Sequence, residues 1–327
     1  MTDDVRRRVL VTGATGYVGS RLVPELVDAG HEVRVATRHP DALDGYDWAD
    51  RVEPVQLDVT DDASVGAAVE GVDVVVYLVH SMAGGDFVEK DREAAERVAG
   101  ACERSGVGHL VYLSGLVPDG ELSDHLRSRL EVEEVFEAGS VPTTTLRAAM
   151  VVGGGSTSFE LMRKLSRRMP VTLVPTWMRR SLQPVAVEDV VEVLARAVGV
   201  PDPDRVDRAY DLGGDEVLTY PELLDLYTEV AGISRPQVVV PFVPMWLVGE
   251  VAALLSQMPR GTVTSLVDSL SHEMVCREDD VRRDLVPGHS FVPLREAVER
   301  SLAGETAATS SSGDVQGEAA SDPDWVG

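Results

Sequence analysis

The chain has 327 residues, 44% of them hydrophobic and only 5% aromatic, with 55 acidic against 30 basic residues and a net charge of −25. That length allows one large domain or two modest ones around an aliphatic core. So acidic a surface repels nucleic acid, and no run of about 18 apolar residues offers a membrane span.

The elements follow in order. Residues 9–12 are a short β-branched run that ends at glycine and read as a buried strand. Residues 17–29 carry apolar positions Val18, Leu22, Leu26 and Val27 at helical spacing and stop at Gly30. Strands are expected over 32–37 and 52–57, then a helix over 63–69. Residues 72–79 are nearly all apolar, as a central parallel strand covered on both faces requires. A helix over 87–103, a strand over 109–113, a helix over 123–138 capped by Ser123 or Asp124, and a strand over 143–152 complete the regular part. This alternation predicts an α/β fold, a doubly wound parallel sheet over residues 1–182.

Residues 183–302 are expected to hold a strand at 183–187 that returns to the sheet, a helix over 187–198, a short strand at 210–212, a helix over 221–231 capped by Thr219, and a smaller α+β cap. Within it, 236–259 is apolar but broken by prolines and Glu250, which argues against a spanning helix. A lid over a pocket is the favoured reading, and contact of 238–258 with a membrane surface is the other. Residues 303–327 are small, polar and acidic, the composition of a disordered tail.

The chain holds two cysteines, Cys102 and Cys276, at no metal spacing, and they read as thiols of a reducing compartment. No metal site is expected. The opening M-T-D-D-V-R-R-R-V-L has no apolar stretch behind its charges, so a cytoplasmic protein without a signal peptide is expected. Lysine occurs only at Lys90 and Lys164. A salt-loving host accounts for the charge, because screening length falls to about 3 Å at 1 M salt. A GC-rich genome is the alternative source of the bias.

The strongest motif is T-G-A-T-G-Y-V-G, residues 12–19, between a strand and a helix. Gly13 permits the sharp turn, Gly16 lets the backbone approach a pyrophosphate, and Gly19 lets helix pack closely on strand. With the amides of Thr15, Tyr17 and Val18, they predict a dinucleotide site at a helix N-terminus. After the second strand the chain reads A-T-R-H-P, with no acid until Asp41. An acid there would bind both ribose hydroxyls of NAD, whereas the fork of Arg38 pairs with a 2′-phosphate, so NADP(H) is favoured over NAD(H). Asp58 and Val59 are expected beside the adenine, and Val79, His80 and Ser81 beside the middle of the cofactor.

The glycine motif, with L-D-V-T, Y-L-V-H-S, V-Y-L-S-G and L-R-A-A-M-V-V-G-G-G, resembles the short-chain dehydrogenase/reductase superfamily, and within it the atypical, NmrA-like NAD(P)H-binding group. The likeness covers about residues 8–235 and continues more loosely to 300. It implies a catalytic serine after the fifth strand, which matches Ser114, and a Tyr-x-x-x-Lys pair on the next helix. Here that pair reads His125-x-x-x-Arg129, so the usual acid is missing. His125 and Arg129 lie one helical turn apart and face the same side. An imidazole titrates near pKa ~6.5 and suits acid–base work; binding the cofactor or capping the fold is the other role open to this pair.

The resemblance implies an NAD(P)H-dependent oxidoreductase, with reduction of a small carbonyl, enone or quinone as the leading expectation. A non-catalytic redox sensor of NmrA-like type and a nucleotide-sugar epimerase or dehydratase are the alternatives. Met82 beside His80, Arg147 after the sixth strand, and Phe159, Trp177, Met245 and Trp246 in the second half are further candidates for contact with cofactor or substrate. Core packing or an ordinary ion pair is the competing role for each.

Overall fold

The computed structural model describes residues 6–80, 86–200, 206–241 and 243–303, together with Val315, Gln316 and Asp322. Its first half builds β1 (Arg8–Thr12), α1 (Tyr17–Asp28), β2 (Glu32–Thr37), β3 (Glu53–Gln56), α2 (Asp62–Val69), β4 (Val74–Tyr77), α3 (Phe87–Ser105), β5 (His109–Gly115), α4 (Asp124–Glu137) and β6 (Thr143–Ala148). The second half adds β7 (Val151–Val152), α5 (Thr157–Arg168), β8 (Thr172–Pro175), β9 (Ser181–Leu182), β10 (Val185–Ala186), α6 (Val187–Val198) and β11 (Arg208–Leu212). It ends with β12 (Leu218–Thr219), α7 (Tyr220–Val230), β13 (Gln237–Val240), α8 (Met245–Ser256), α9 (Arg260–Ser269), α10 (Asp280–Asp284) and α11 (Leu294–Ala303).

Seven strands form one parallel sheet in the order β11-β6-β5-β4-β1-β2-β3. Strand period sorts their side chains. In β4, Val74 and Val76 join the core under α1 and α6, while Val75 and Tyr77 join the core under α2, α3 and α4. All four are buried, the signature of a strand covered on both faces. Strand order reverses between β1 and β4, which opens the crevice where open α/β sheets bind ligands.

Local chemistry fixes the helix starts. Ser123 caps α4 by accepting from the Leu126 amide, and Thr219 caps α7 in a reciprocal box with Glu222. Of the two caps expected for α4, Ser123 holds the position and Asp124 is the first helical residue.

Three expectations are corrected. The strand expected over 143–152 breaks after Ala148: the Ala149 amide donates to Leu212 O at 3.0 Å, and Val151–Val152 leaves the main sheet to pair with Val185–Ala186. The strand at 183–187 therefore does not return to the main sheet; Arg208–Leu212 does, beside β6. Disorder does not hold at the three described residues of the tail. Gln316 is fully buried and donates to Val152 O at 2.8 Å and to Ser301 Oγ at 3.1 Å. Asp322 accepts from the buried Arg21 at 2.9 Å. Small polar composition did not forbid these contacts, because a buried guanidinium and orphaned carbonyls recruit polar partners.

Among the described residues no helix is long and apolar enough to cross a membrane.

Candidate active site

Gly13 leaves β1 at φ +70°, a conformation that side chains rarely adopt. A Cβ on Gly19 would stand 2.3 Å from Gly13 O, so only glycine lets α1 pack this close to the turn. Gly16 is exposed and is the N-cap of α1, with no side chain capping the helix and no acid in its first turn. The amides of Tyr17 and Val18 thus begin the helix without a carboxylate competitor, in a place that any Cβ at Gly16 would crowd. This cradle fits the pyrophosphate of a dinucleotide. Tyr46 closes it from the side, donating its hydroxyl to Thr15 O at 3.2 Å.

The Tyr17 side chain takes no part. It lies on the far side of α1, beneath the Arg21 guanidinium at 4.1 Å and against Gly153, and burial raises its phenol pKa. Its contribution to a cofactor is limited to the backbone.

Around the crevice, Thr12 Oγ1 donates to Val76 O at 3.2 Å and accepts from the Leu78 amide at 3.3 Å, which fixes the end of β4 beside β1. Val79 is half-buried and His80 exposed at that end; Ser81 and Met82 lie outside the described residues. Arg38 follows β2, exposed, and its charge reaches Asp58 after β3. Asp58 accepts the Thr60 hydroxyl at 2.7 Å, and that bond lowers its carboxyl pKa; Val59 packs on the core beside it.

Ser114, His125 and Arg129 come together at the end of β5. Arg129 Nη1 donates to Leu113 O at 3.0 Å, so one guanidinium nitrogen clamps the strand end. Ser114 Oγ is buried and carries no hydrogen bond. His125 is half-buried at the first turn of α4; loss of water and then the Arg129 charge push its pKa down to about 3. The Arg129 guanidinium, then loss of water, and then His125 hold His80 well below the ordinary imidazole range. Both imidazoles are neutral near pH 7. His125 therefore offers an N–H donor or a lone pair, not an imidazolium acid. Tyr112 donates to Arg129 O at 3.3 Å but is fully buried in the core, so it does not replace the missing tyrosine.

His125 opens onto a cavity of about 420 Å³. Gly115, Ala148 and Met150 floor it at the strand ends; Leu161, Met162, Leu223 and Val267 wall it; Leu173, Leu247 and Val251 stand at its opening. Among the polar side chains that line the same space, the two largest, besides His125, went unnoticed in the sequence. Tyr220 is nearly buried, with a phenol raised by burial. Arg235 donates to Met169 O at 2.9 Å while its Nε and Nη2 are buried without a partner. No spacing signals them, because they reach the cavity from elements about 100 residues beyond α4. A second cavity, about 470 Å³ and polar, lies beyond β5 and β6 between Asp119, Arg180, His272 and Arg277.

The remaining candidates resolve as follows. Arg147 pairs with the buried Glu133 at 3.0 Å, the ordinary strand-end ion pair. Phe159 is core, edge-on to Tyr227. Trp177 donates to Val243 O at 2.9 Å and supports the cap, Met245 is half-buried beside it, and Trp246 is exposed. Among the described residues no cluster of His, Cys, Asp or Glu offers a metal site.

A parallel sheet with a glycine-cleared helix start at its switch point defines a dinucleotide-binding protein of the Rossmann type. Residues 13–198 match the NAD(P)H-binding family, and the chain belongs to it, as an atypical short-chain dehydrogenase/reductase. It is 32% identical to a (4-alkanoyl-5-oxo-2,5-dihydrofuran-3-yl)methyl phosphate reductase of Streptomyces griseus, over 68% of this chain and 74% of that one. A 3 beta-hydroxysteroid dehydrogenase/Delta 5-->4-isomerase of Mycobacterium tuberculosis is 35% identical over 33% of this chain, a match that spans only 31% of the relative's length. The fold resembles that of a Citrobacter sp. triphenylmethane reductase complexed with NADP(H), with TM-score 0.70 and 20% identity, over 89% of this chain and 99% of that one.

Proposed function

We propose that the protein is an NADP(H)-dependent reductase of a bulky apolar acceptor, an enone or quinone in preference to a simple ketone. The observation that carries this is the apolar cavity opening beside a neutral imidazole at the strand ends. The amides of the Gly13–Gly19 turn hold the pyrophosphate, and Arg38 takes the 2′-phosphate through its planar fork. When bound, the nicotinamide supplies a hydride.

The chain's own groups then have to manage negative charge on the acceptor oxygen. His125 donates an N–H hydrogen bond to it, as a neutral imidazole can. Arg129, one turn away, stabilises the charge electrostatically. Ser114 Oγ, which has no internal partner, is a further donor. None of these is a strong acid at neutral pH. An enone or quinone suits such a site because its reduced anion is delocalised and can take its proton later from water. The reductase relative, named for an unsaturated alkanoyl lactone that carries a phosphate, supports an enone acceptor, and the hydroxysteroid dehydrogenase/isomerase supports a bulky one. A net charge of −25 with only two lysines supports work at high salt, and two free cysteines suit the cytoplasm.

The test is oxidation of NADPH by a panel of soluble enones, quinones and aliphatic ketones, in wild type and His125→Ala. Turnover with enones or quinones that falls in His125→Ala supports the reading. Tight NADPH binding without turnover on any acceptor would replace it with a redox-sensing role, for which the missing Tyr-Lys pair speaks.

A further inference from the structure

The large apolar side chains that stand exposed among the described residues are not scattered. Apart from Val206, Val217 and Val239, which points away from Val238 along the same strand, they belong to two neighbouring parts of the cap. Leu173 and Val238 are register partners in the parallel pair β8–β13. Leu247, Val251 and Leu254 recur at i, i+4 and i+7 along α8, beside Trp246. Trp246 is 67% exposed and Leu254 79% exposed. In a chain this acidic, burying neither is costly unless something covers them.

The face is continuous with the cavity. Leu173, Leu247 and Val251 are at once exposed and part of its lining, so the apolar surface runs inward from solvent without a polar rim at these positions. Its exposed charge also differs from that of the acidic remainder. Residues 161–187, which carry most of α5 and all of β8, contain no acidic side chain, and four of their six basic ones are exposed, while Arg163 is buried against Glu160; in residues 233–267, which carry β13 and α8, Arg260 pairs with the one acid, Glu250. Arg167, Arg168 and Arg179 are exposed among them. Arg168 sits at the end of α8, donating to Leu255 O and, at 3.1 Å, to Gln257 Oε1.

We infer that this face docks on the surface of an anionic lipid bilayer, with the cavity opening onto the membrane, so that the acceptor is a lipid-soluble molecule entering from it. Apolar side chains with exposed arginines on the neighbouring segments, on an element too short to span, are what an interfacial protein presents to acyl chains and anionic headgroups. The acidic remainder is repelled by the same headgroups, which orients the cap toward the bilayer. A second copy of this chain would meet the arginines with like charge, and so is the weaker occupant. The choice of a lipid-soluble acceptor rests on the reductase reading; the docking does not.

The experiment is co-sedimentation of the full chain with vesicles of phosphatidylcholine alone and of phosphatidylcholine with phosphatidylglycerol, at low and high salt, with the emission of Trp246 followed against Trp246→Phe. Expected are binding to the anionic vesicles, a blue shift carried by Trp246, weaker binding at high salt, and at least ~10-fold loss in Trp246→Ser/Leu254→Ser. Arg168→Glu/Arg179→Glu should lose binding to anionic vesicles, with the melting temperature and NADPH affinity of all variants as controls of folding. Equal sedimentation with and without vesicles overturns the inference, as does binding that the apolar variants do not weaken. So does a dimer in solution that Trp246→Ser/Leu254→Ser converts to monomer. Turnover of a water-soluble enone separates the two claims: it persists if only the docking is wrong, and fails with vesicle binding intact if only the reductase reading is wrong.

Discussion

The two sites at the strand ends are built on opposite principles. The glycine turn is made of backbone: Gly13 and Gly19 clear it, Thr12 and Tyr46 pin it, and its ligand groups are amides. The cavity beside it is made of side chains from α4, α5, α7, α8 and α9, brought together across more than 140 residues. At Gly19 the first has no room for an added atom; the second is defined by the space its walls leave. One site therefore fixes a cofactor class, and the other is free to vary its substrate.

Enlarging a residue should break the first and only retune the second. Gly19→Val forces a Cβ into Gly13 O and should lower the melting temperature by ~10 °C or prevent folding. Val248→Leu, in the cavity wall, should change melting by no more than a few degrees while raising KM for the bulkiest acceptors. A tail variant extends the contrast. Asp322→Ala leaves the buried Arg21 without its carboxylate and should cost ~3 kcal/mol or more, read as a fall in melting temperature near that of a core truncation.

Effects on activity come next. His125→Ala should lower kcat by ~10²-fold with little change in NADPH affinity, because it removes a donor to the acceptor oxygen and not a cofactor contact. Equal loss of NADPH affinity would move His125 from the cavity's side of the comparison to the turn's. Arg38→Glu should shift the preference from NADPH toward NADH by ~10- to 100-fold, the worth of one charge-assisted pair.

The smallest effect is in pH. His125 has a folded pKa of about 3, below the ~6.5 of an unfolded imidazole, so the unfolded chain takes up the proton first. Its contribution is complete above ~6.5 and is lost progressively as pH falls toward 3. Denaturant titrations at pH 8, 6 and 5 should show less loss on acidification for His125→Gln than for wild type. The pH profile of kcat should be flat through 6.5; a step there would mean an imidazolium acts as acid.

The sequence disclosed the turn and the sheet far better than the cap, and for a physical reason. T-G-A-T-G-Y-V-G encodes a backbone shape, and backbone shapes are local. The nearly all-apolar stretch at 72–79 encodes burial on both faces, which only a central strand satisfies. Cap elements such as β8, β13 and α9 are short, and their partners lie far away in the chain, so their pattern carries little periodicity. Tyr220 and Arg235 reach the cavity through that distant packing and left no spacing to read. Tyr17 shows both at once: the motif specifies its amide, while its ring is governed by Arg21 and Gly153.

The central claim is that the glycine turn grips a nicotinamide dinucleotide through main-chain amides. Isothermal titration of NADPH into wild type and Gly16→Val tests it, since a Cβ at Gly16 would stand 3.1 Å from Gly13 O, at the start of the helix whose amides are to hold the pyrophosphate. A saturable heat at one site per chain in wild type, absent in a Gly16→Val protein that melts normally, is the predicted result. Identical heats in the two proteins, or none in wild type with either NADPH or NADH, would contradict it.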